Sequence, residues 1–297
     1  MLIEIKKKSQ TYQFEANAGE KLLYAGLRAG IPLPFECATG TCGSCKARVT
    51  QGEVDEGWSE APGKERFKVV KREILMCQCS AQSDCSLSVP TKIVAFRDDD
   101  INPDHHIGVI TQYEKLTEDV LRFNVEIPTS ISFHAGQFFV LQAPEVNGFR
   151  AYSMVNYSPG TNDLEFIIKQ NPHGGLSKWI FDSDRTQEKL ELFGPLGHAT
   201  FHPDESHDLF MIAGGSGIAG LMSILEYGRQ VNYFKNRKVS LFFGIRTPAD
   251  FFFAERLRAV KAQFPDTVSI NIAFSNAPPT AEQLSGNDGL IYLQGMV

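Results

Sequence analysis

Four cysteines stand at a spacing that suits an iron–sulfur cluster. Cys37, Cys42 and Cys45 form a C-x4-C-x2-C pattern, and Cys77 follows further along the chain. Three thiolates from one short loop and a fourth from a later segment can hold the two irons of a [2Fe–2S] cluster. Such a loop must fold tightly around its ligands, and the two glycines inside it permit that backbone geometry. The pattern therefore predicts a [2Fe–2S] site with these four ligands.

The same cysteines leave two alternatives open. All six cysteines of the chain lie between residues 37 and 85, and in a reducing compartment such clustering favours metal ligation over disulfides. A zinc site usually shows paired C-x2–4-C motifs or histidines, whereas this sequence has one C-x2-C and no histidine before His105. Cys77 and Cys79 flank Gln78, so spacing alone does not choose the fourth ligand, and Cys85 is typical of a buried apolar residue.

Two glycine-rich segments are candidates for phosphate binding. Gly214, Gly215 and Gly217 follow a predicted strand over residues 208–213 and precede a predicted helix over 218–230, the context in which such loops hold nucleotides. Gly174 and Gly175 open a predicted helix over residues 176–181, whose N-terminus suits a pyrophosphate. The alternative for this second pair is a plain turn.

Composition excludes several classes of function. The formal net charge is −6, which argues against nucleic acid as the main partner, since phosphate backbones require clustered Lys and Arg. The basic segment over residues 64–72 is short and is interpreted as a solvated face or a docking patch. The longest apolar runs, such as residues 241–245, are far shorter than a membrane span. The N-terminus lacks the apolar core of a signal peptide, so a cytoplasmic protein is expected.

The elements that must position these residues fall into three predicted domains. Residues 1–95 form an α+β unit with a hairpin (2–7 and 11–15) and a helix (20–29), and residues 96–105 form a polar linker. Residues 106–204 contain short strands that predict an antiparallel β-barrel; they are 108–113, 120–127, 137–142 and 164–169. Residues 205–297 alternate strand and helix, which predicts a parallel α/β sheet with a further strand over 239–245 and helix over 248–264.

The motifs in this order resemble a known family. Residues 1–90 resemble a plant-type ferredoxin domain of β-grasp fold, whose fourth ligand stands in an L-x-C-Q context. Leu75, Cys77 and Gln78 match that context, so the resemblance favours Cys77 over Cys79. The remainder is similar to a ferredoxin–NADP⁺ reductase-type module with a flavin barrel and an α/β nucleotide domain. The combination resembles the reductase component of bacterial multicomponent oxygenases, such as aromatic-ring dioxygenases and toluene-type monooxygenases.

The resemblance implies a set of FAD-binding residues. Arg150, Tyr152 and Ser153 match the family's R-x-Y-S motif. It implies that Arg150 pairs with the FAD phosphates, Tyr152 packs on the isoalloxazine and Ser153 lies near its N5 atom. A guanidinium forks onto phosphate and a phenol ring supplies stacking area, so these roles are chemically sound. The rest of the implied FAD set is Ile168, Lys169, Gly174, Gly175, Leu176 and Ser177.

The resemblance also implies an NADH site. The family's nucleotide loop reads G-G-x-G-x-x-P, and this chain has Gly220 in the place of the proline, which makes the helix start less rigid. Residues 243–250 resemble the family's Y-G-x-R-x-x-x-D segment, so Arg246 is expected to approach the nucleotide. The alternative for Arg246 is a surface ion pair with Asp250. No basic cluster follows this strand to bind a 2′-phosphate, which favours NADH over NADPH.

The C-terminal region departs from the family pattern. The C-G-P-P strand that normally lies beside the nicotinamide is not recognisable, and residues 286–292 resemble the segment that precedes it. The departure predicts that the chain stops inside the nucleotide domain, as a natural truncation, a fragment or a clipped product. Loss of a strand would leave exposed sheet edges and a weaker nicotinamide pocket. This prediction puts hydride transfer by the chain in doubt.

The expected function is electron transfer from NADH through FAD to the [2Fe–2S] cluster, and onward to an oxygenase or a separate ferredoxin in aromatic hydrocarbon catabolism. The cofactors carry this chemistry, so no catalytic acid or base is assigned. One alternative is a reductase for another acceptor, such as a sugar-deoxygenating enzyme, although residues 55–63 around Trp58 resemble the oxygenase version more closely. A second alternative is a non-enzymatic carrier that no longer takes NADH. A zinc-bound interaction module is a third.

Overall fold

Three main sheets follow one another along the chain, each with its own strand order. The computed structural model describes residues 1–7, 10–65, 67–90, 97, 99 and 101–297. Part of the predicted linker, residues 96, 98 and 100, lies outside the described residues. Asp104 and His105, which end that predicted linker, belong to the first strand of the barrel. The predicted domain boundaries remain predictions.

The first sheet has five strands and one covering helix, as expected for a β-grasp unit. Its strands pair in the order β2-β1-β7-β3-β5, and the predicted hairpin is confirmed by the antiparallel register of β1 and β2. Helix α1 packs its apolar side chains into the core, and Gly30, at φ +75°, adopts the left-handed conformation just beyond its end. The elements of the first domain are β1 (Leu2–Lys7), β2 (Gln10–Glu15), α1 (Leu22–Arg28), β3 (Lys46–Gln51), β4 (Val54–Asp55), β5 (Glu73–Leu75), β6 (Ser80–Ala81) and β7 (Cys85–Ser88). Strands β4 and β6 form a separate two-stranded sheet.

The second sheet is antiparallel and curls towards closure, as the barrel prediction requires. Its order is β11-β10-β13-β8-β9-β12, and its edge strands β11 and β12 contact each other. The backbone N–H of Val155 donates to the carbonyl of Glu165 across this closure at 2.8 Å. Buried aromatic side chains such as Phe123 and Phe166 fill the interior. The elements are β8 (Asp104–Lys115), β9 (Val120–Ile131), β10 (Phe138–Gln142), β11 (Arg150–Ser153), β12 (Thr161–Lys169), α2 (Gly175–Asp182) and β13 (Lys189–Leu196).

The third sheet is parallel, in the order β14-β15-β16-β17. Helices α3 and α4 cover one of its faces, where Leu225 and Leu257 share a buried core with Leu241 and Phe243. This alternation confirms the predicted α/β class. The elements are β14 (Leu209–Gly214), α3 (Ala219–Gln230), β15 (Val239–Ile245), α4 (Ala254–Gln263), β16 (Val268–Phe274), α5 (Ala281–Leu284) and β17 (Ile291–Gln294).

The helix predicted over residues 248–264 is wrong in its first third. The chain forms a 3₁₀ turn over Pro248–Asp250 and enters α4 only at Ala254. Between them Phe253 has φ +63°, a left-handed conformation that a continuous helix excludes. Phe252 and Phe253 are both buried in the core under the sheet. Tertiary burial of these two rings therefore outweighs local helix propensity.

The first domain packs directly on the barrel. Its hydrophobic core is continuous with Val140 of β10 and with Phe193 and Leu196 of β13. These contacts join the first domain to strands β10 and β13 of the barrel. Among the described residues, no helix is long and apolar enough to cross a membrane.

Candidate functional site

The four predicted cluster ligands lie together in the first domain. The Cys45 thiol hydrogen-bonds the Cys77 thiol, and Cys37 does the same with Cys42. The backbone N–H of Thr39 donates to the Cys37 sulfur at 3.4 Å. Burial opposes ionisation of Cys37, but hydrogen bonds from Thr41 and Thr39 outweigh it and lower its pKa to about 6. Four grouped thiols with N–H donors aimed at sulfur are a donor set that fits a [2Fe–2S] cluster.

The two remaining cysteines point elsewhere. The Cys79 thiol donates to the carbonyl of Glu56 at 3.9 Å, and burial together with the Glu56 charge raises its pKa to about 12. The Cys85 thiol donates to the Glu53 carbonyl at 3.2 Å. The structure therefore brings Cys77, and not Cys79, to the other three thiols.

The backbone of the cysteine loop is unusually tight. Ala38 and Gly40 have φ of +55° and +93°, left-handed conformations that let the chain fold back within a few residues. The N–H of Gly63 donates to the Gly40 carbonyl at 2.9 Å. A Cβ on Gly43 would lie only 3.0 Å from the Gly63 carbonyl oxygen. The turn over Pro62–Lys64 thus buttresses the loop, a contact that the cysteine spacing did not reveal.

The R-x-Y-S residues lie on the edge strand β11, between the first and third domains. Arg150 lines a cavity of 770 Å³ that also reaches Gln78, beside Cys77. Burial raises the pKa of Tyr152 above its ordinary value, so its phenol stays neutral. A Cβ on Gly220 at the start of α3 would lie 3.4 Å from the Ser153 side chain. Strand β11 therefore lies between the cavity that reaches Gln78 and the start of helix α3.

The other predicted FAD residues divide into backbone and side-chain roles. Ile168 and Leu176 are each 1% exposed, so their side chains belong to the barrel core and could offer only backbone atoms to a ligand. The Ser177 hydroxyl is occupied by Asn171 and Gly174 carbonyls at 2.9 and 3.2 Å. A Cβ on Gly174 would lie 2.6 Å from that hydroxyl. The first-turn N–H groups of the eight-residue α2 remain available to an anion, which fits a pyrophosphate.

The glycine loop after β14 has the open shape that a nucleotide needs. A Cβ on Gly214, Gly215 or Gly217 would meet no atom of the described residues within 4 Å, so packing against them does not require glycine here. Gly215 has φ +51° and begins a 3₁₀ turn that leads into α3. Room for a close backbone approach is the feature that dinucleotide loops use, and the loop forms although Gly220 replaces the family's proline.

Arg246 forms the ion pair with Asp250 that the sequence offered as an alternative to nucleotide binding, and it also lines a cavity. Its guanidinium lies 2.6 Å from Asp250 and 2.9 Å from Asp119. Lys169 lies 3.6 Å from the same Asp119 carboxylate. These four side chains line a cavity of 280 Å³ that extends to Gly215, so the Lys169 of the FAD set faces the nucleotide side. No sequence motif indicated Asp119, because it joins this cluster through an ion pair with Arg246 of another domain.

Comparisons with known families match all three domains in order. Residues 5–82 match the family model described as 2Fe-2S iron-sulfur cluster binding domain. Residues 108–201 match the oxidoreductase FAD-binding domain, and residues 211–291 match the oxidoreductase NAD-binding domain. The cofactors of the chain are therefore a [2Fe–2S] cluster, FAD and NAD.

Curated relatives and solved structures share this whole arrangement. The ferredoxin–NAD(+) reductase component of the alkene monooxygenase system of Xanthobacter autotrophicus is 32% identical over 94% of this chain and 83% of its own length. The ferredoxin–NAD(P)(+) reductase CarAd of Metapseudomonas resinovorans is 33% identical over 78% of this chain and 70% of its own. The structure of the ferredoxin reductase in carbazole 1,9a-dioxygenase aligns with a TM-score of 0.76 at 26% identity and covers 99% of both chains. The chain thus belongs to the family of ferredoxin–NAD(P)⁺ reductase components of multicomponent oxygenases, which pass electrons from NADH through FAD to a [2Fe–2S] centre.

Proposed function

We propose that this reductase delivers single electrons to an oxygenase component or a separate ferredoxin that docks at the exposed side of the cysteine loop. The observation that carries the proposal is the unequal exposure of the cysteines at this site. Cys42 is exposed, whereas Cys45 and Cys77 are buried in a core that continues into the barrel. A cluster held there has one side towards the flavin domain and one side towards a partner. The relatives named above are components of oxygenase systems, which supports this class of acceptor.

The residues assigned by resemblance form the proposed electron-entry route. FAD held by these residues would supply acceptance of an electron pair as hydride from NADH, and a cluster on the four cysteines would supply acceptance of single electrons. Arg150 supplies a fixed positive charge to the FAD phosphates, and the α2 N-terminus supplies N–H donors. Gly214, Gly215 and Gly217 let the nucleotide approach α3, close to Ser153. The chain's role is to hold these sites adjacent to one another.

NADH is the proposed donor in preference to NADPH. The cavity beside Arg246 contains two cations, Lys169 and Arg246, already paired with two carboxylates, Asp119 and Asp250. A 2′-phosphate would therefore meet no surplus positive charge among the residues that line this cavity. We expect kcat/KM for NADH to exceed that for NADPH at least tenfold in steady-state assays with ferricyanide. Comparable values for the two donors would contradict this preference.

The decisive experiment is an anaerobic NADH titration of the protein whose iron, sulfide and flavin content have been quantified. The proposed route predicts that NADH bleaches both the flavin and the cluster absorption. Bleaching of the flavin alone would show that electrons do not pass from the flavin to the cluster. Unchanged bands in a fully loaded protein would favour the carrier alternative over the reductase.

The docking side is tested by charge reversal beside the loop. The turn over Pro62–Lys64 contacts Gly40, and the exposed Lys68 and Lys71 follow it. We expect Lys68→Glu with Lys71→Glu to lower the KM for cytochrome c, a cationic protein acceptor, while leaving ferricyanide reduction unchanged. Lys235→Glu with Lys238→Glu, two exposed lysines in the third domain, is the matched control and should alter neither. Equal effects of both changes would place the docking surface elsewhere.

A further inference from the structure

We propose that Tyr24 is a positioning residue for electron transfer, which holds the cysteine loop against the flavin barrel and tunes the cluster potential. This inference rests on the proposed route of electrons from flavin to cluster. Tyr24 lies on α1 and is 1% exposed. Neither the cysteine motif nor the R-x-Y-S motif includes it.

The hydroxyl of Tyr24 is tied to the cysteine loop. It donates a hydrogen bond of 2.9 Å to the carbonyl of Ala38, and this bond is buried. Ala38 follows Cys37 directly and has φ +55°, a left-handed conformation that is strained for a residue with a Cβ. Such strain persists only where the surroundings over-determine it. The Tyr24 hydroxyl is one of the contacts that hold this backbone turn.

The ring of Tyr24 is tied to the barrel. It stacks on Phe193 of β13 with centroids 4.5 Å apart and planes inclined by 17°. It also meets Phe149 edge-on at 5.4 Å, and Phe149 directly precedes Arg150. Phe193 itself is 0% exposed. One side chain therefore contacts the cysteine loop through its oxygen and the flavin domain through its ring.

The two ends of the side chain have separable consequences. Without the hydroxyl, the Ala38 carbonyl is left buried and unpaired. Its partial negative charge then lies beside the thiolates and disfavours an added electron, because charge and hydrogen bonding around the sulfurs set the potential. Without the ring, the contact between loop and barrel loses its central stacked pair, and transfer between the two domains slows.

The hydroxyl is tested by Tyr24→Phe in the holoprotein. A mediated dithionite titration, which does not depend on NADH, measures the midpoint potential of the cluster. We expect a more negative potential than wild type, with iron content and flavin reduction by NADH unchanged. Tyr12→Phe is the matched control, since the Tyr12 hydroxyl bonds only the exposed side chain of Gln10 among the described contacts. A potential equal to wild type in Tyr24→Phe would overturn the tuning role.

The ring is tested from both domains, with Tyr24→Leu and Phe193→Leu. A light-generated deazaflavin radical reduces the bound flavin, and absorbance then follows the single electron that leaves the flavin and reduces the cluster. We expect this transfer to slow at least tenfold in each variant, while NADH still reduces the flavin at the wild-type rate. Should Tyr24→Leu lose iron, Phe193→Leu still provides the test from the barrel side.

The outcomes separate this inference from the proposed function. Wild-type transfer rates in a loaded Phe193→Leu protein would overturn the role of the ring contact. A failure of NADH to reduce the wild-type flavin would instead contradict the proposed entry route, and the dithionite and light-driven measurements would still report on Tyr24.

Discussion

Cys77 and Cys79 are separated by one residue and are both buried, yet the structure gives them opposite chemistry. Cys77 shares a hydrogen bond with the Cys45 thiol and receives one from the Gln78 side chain at 3.5 Å, and its pKa is lowered, with Cys45 as the largest cause. Burial raises the pKa of Cys79 to about 12. The structure therefore places the Cys77 thiol beside the Cys45 thiol and directs the Cys79 thiol towards Glu56.

The choice of ligand yields a direct prediction. We expect Cys77→Ser to lose most of its iron, and Cys79→Ser to retain wild-type iron and sulfide, because Cys79 contacts Glu56 and not the other thiols. Iron and sulfide quantitation with the visible spectrum of each purified variant measures this. Loss of the cluster in Cys79→Ser alone would reverse the assignment.

Glu20 shows how one buried carboxylate connects two domains. It lies two residues before α1, and its side chain is only 4% exposed, 2.9 Å from Arg28 and 3.1 Å from His105 of β8. Burial by itself would raise its pKa, but hydrogen bonds from His105, Arg28 and the N–H of Asn17 outweigh it and lower the pKa to about 2. The folded protein therefore favours the ionised form.

The sign of the pH dependence follows from that lowered pKa. A carboxyl group whose pKa is lowered by folding makes its full contribution to stability above its unfolded pKa of 4.5. This contribution is lost as the pH falls towards 2. We expect Glu20→Gln to lower the free energy of unfolding by about 2 kcal/mol at pH 7. Urea unfolding of both proteins from pH 8 down to pH 3 measures the difference in their free energies of unfolding. This difference should be constant above pH 4.5 and should shrink below it. A deficit that grows on acidification would contradict the assignment.

At the scale of elements, helix α3 carries two glycines in opposite environments. A Cβ on Gly220 would make ordinary contacts at 3.4 Å with Ser153 and Gly136. A Cβ on Gly228 would lie 2.2 Å from the ring of Phe234, which is fully buried. Gly220 thus destabilises the helix through its greater loss of conformational entropy on folding, and no close contact requires a glycine there. Gly228 is required because an aromatic ring approaches its backbone closely.

This contrast predicts opposite effects of the same substitution. We expect Gly220→Ala to raise the free energy of unfolding by about 0.5–1 kcal/mol, and Gly228→Ala to lower it by about 1–3 kcal/mol through overpacking. Urea unfolding of the two variants beside wild type measures both, and each serves as the other's control. A destabilised Gly220→Ala would show that the turn leading into α3 needs glycine for another reason.

Strong periodicity made most elements predictable, and long-range contacts account for the rest. Four of the six barrel strands, β8, β9, β10 and β12, and the β14–loop–α3 unit followed from alternation and glycine context, whereas β11 and β13 were not predicted as strands. The break before α4 did not, because it arises from burial of Phe252 and Phe253 under a distant sheet. The same reason hid Tyr24 and Asp119, whose partners lie in other domains. Motifs identify residues that touch cofactors, and they carry no signal for residues that connect the domains.

At the scale of the whole molecule, the two faces of the parallel sheet differ sharply. Helices α3 and α4 cover the face that contains Met211 and Ala213. On the opposite face Phe210 and Ile212 of β14 are 69% and 57% exposed, and Phe242 of β15 lies in register beside Ile212. Ile291 and Leu293 of β17 are also 47% and 41% exposed. Contiguous apolar surface beside an unpaired edge strand promotes association between copies of a protein.

The exposed face predicts how the protein behaves on concentration. We expect Phe210→Ser with Ile212→Thr to reduce concentration-dependent light scattering severalfold, while the melting temperature stays within about 2 °C of wild type because both side chains face solvent. Val70→Ser is the matched control, since Val70 is 99% exposed but lies in a basic segment of the first domain. It should leave scattering unchanged, as a single exposed apolar residue is ordinary. Equal scattering of wild type and the double variant would show that association, if present, uses a different surface.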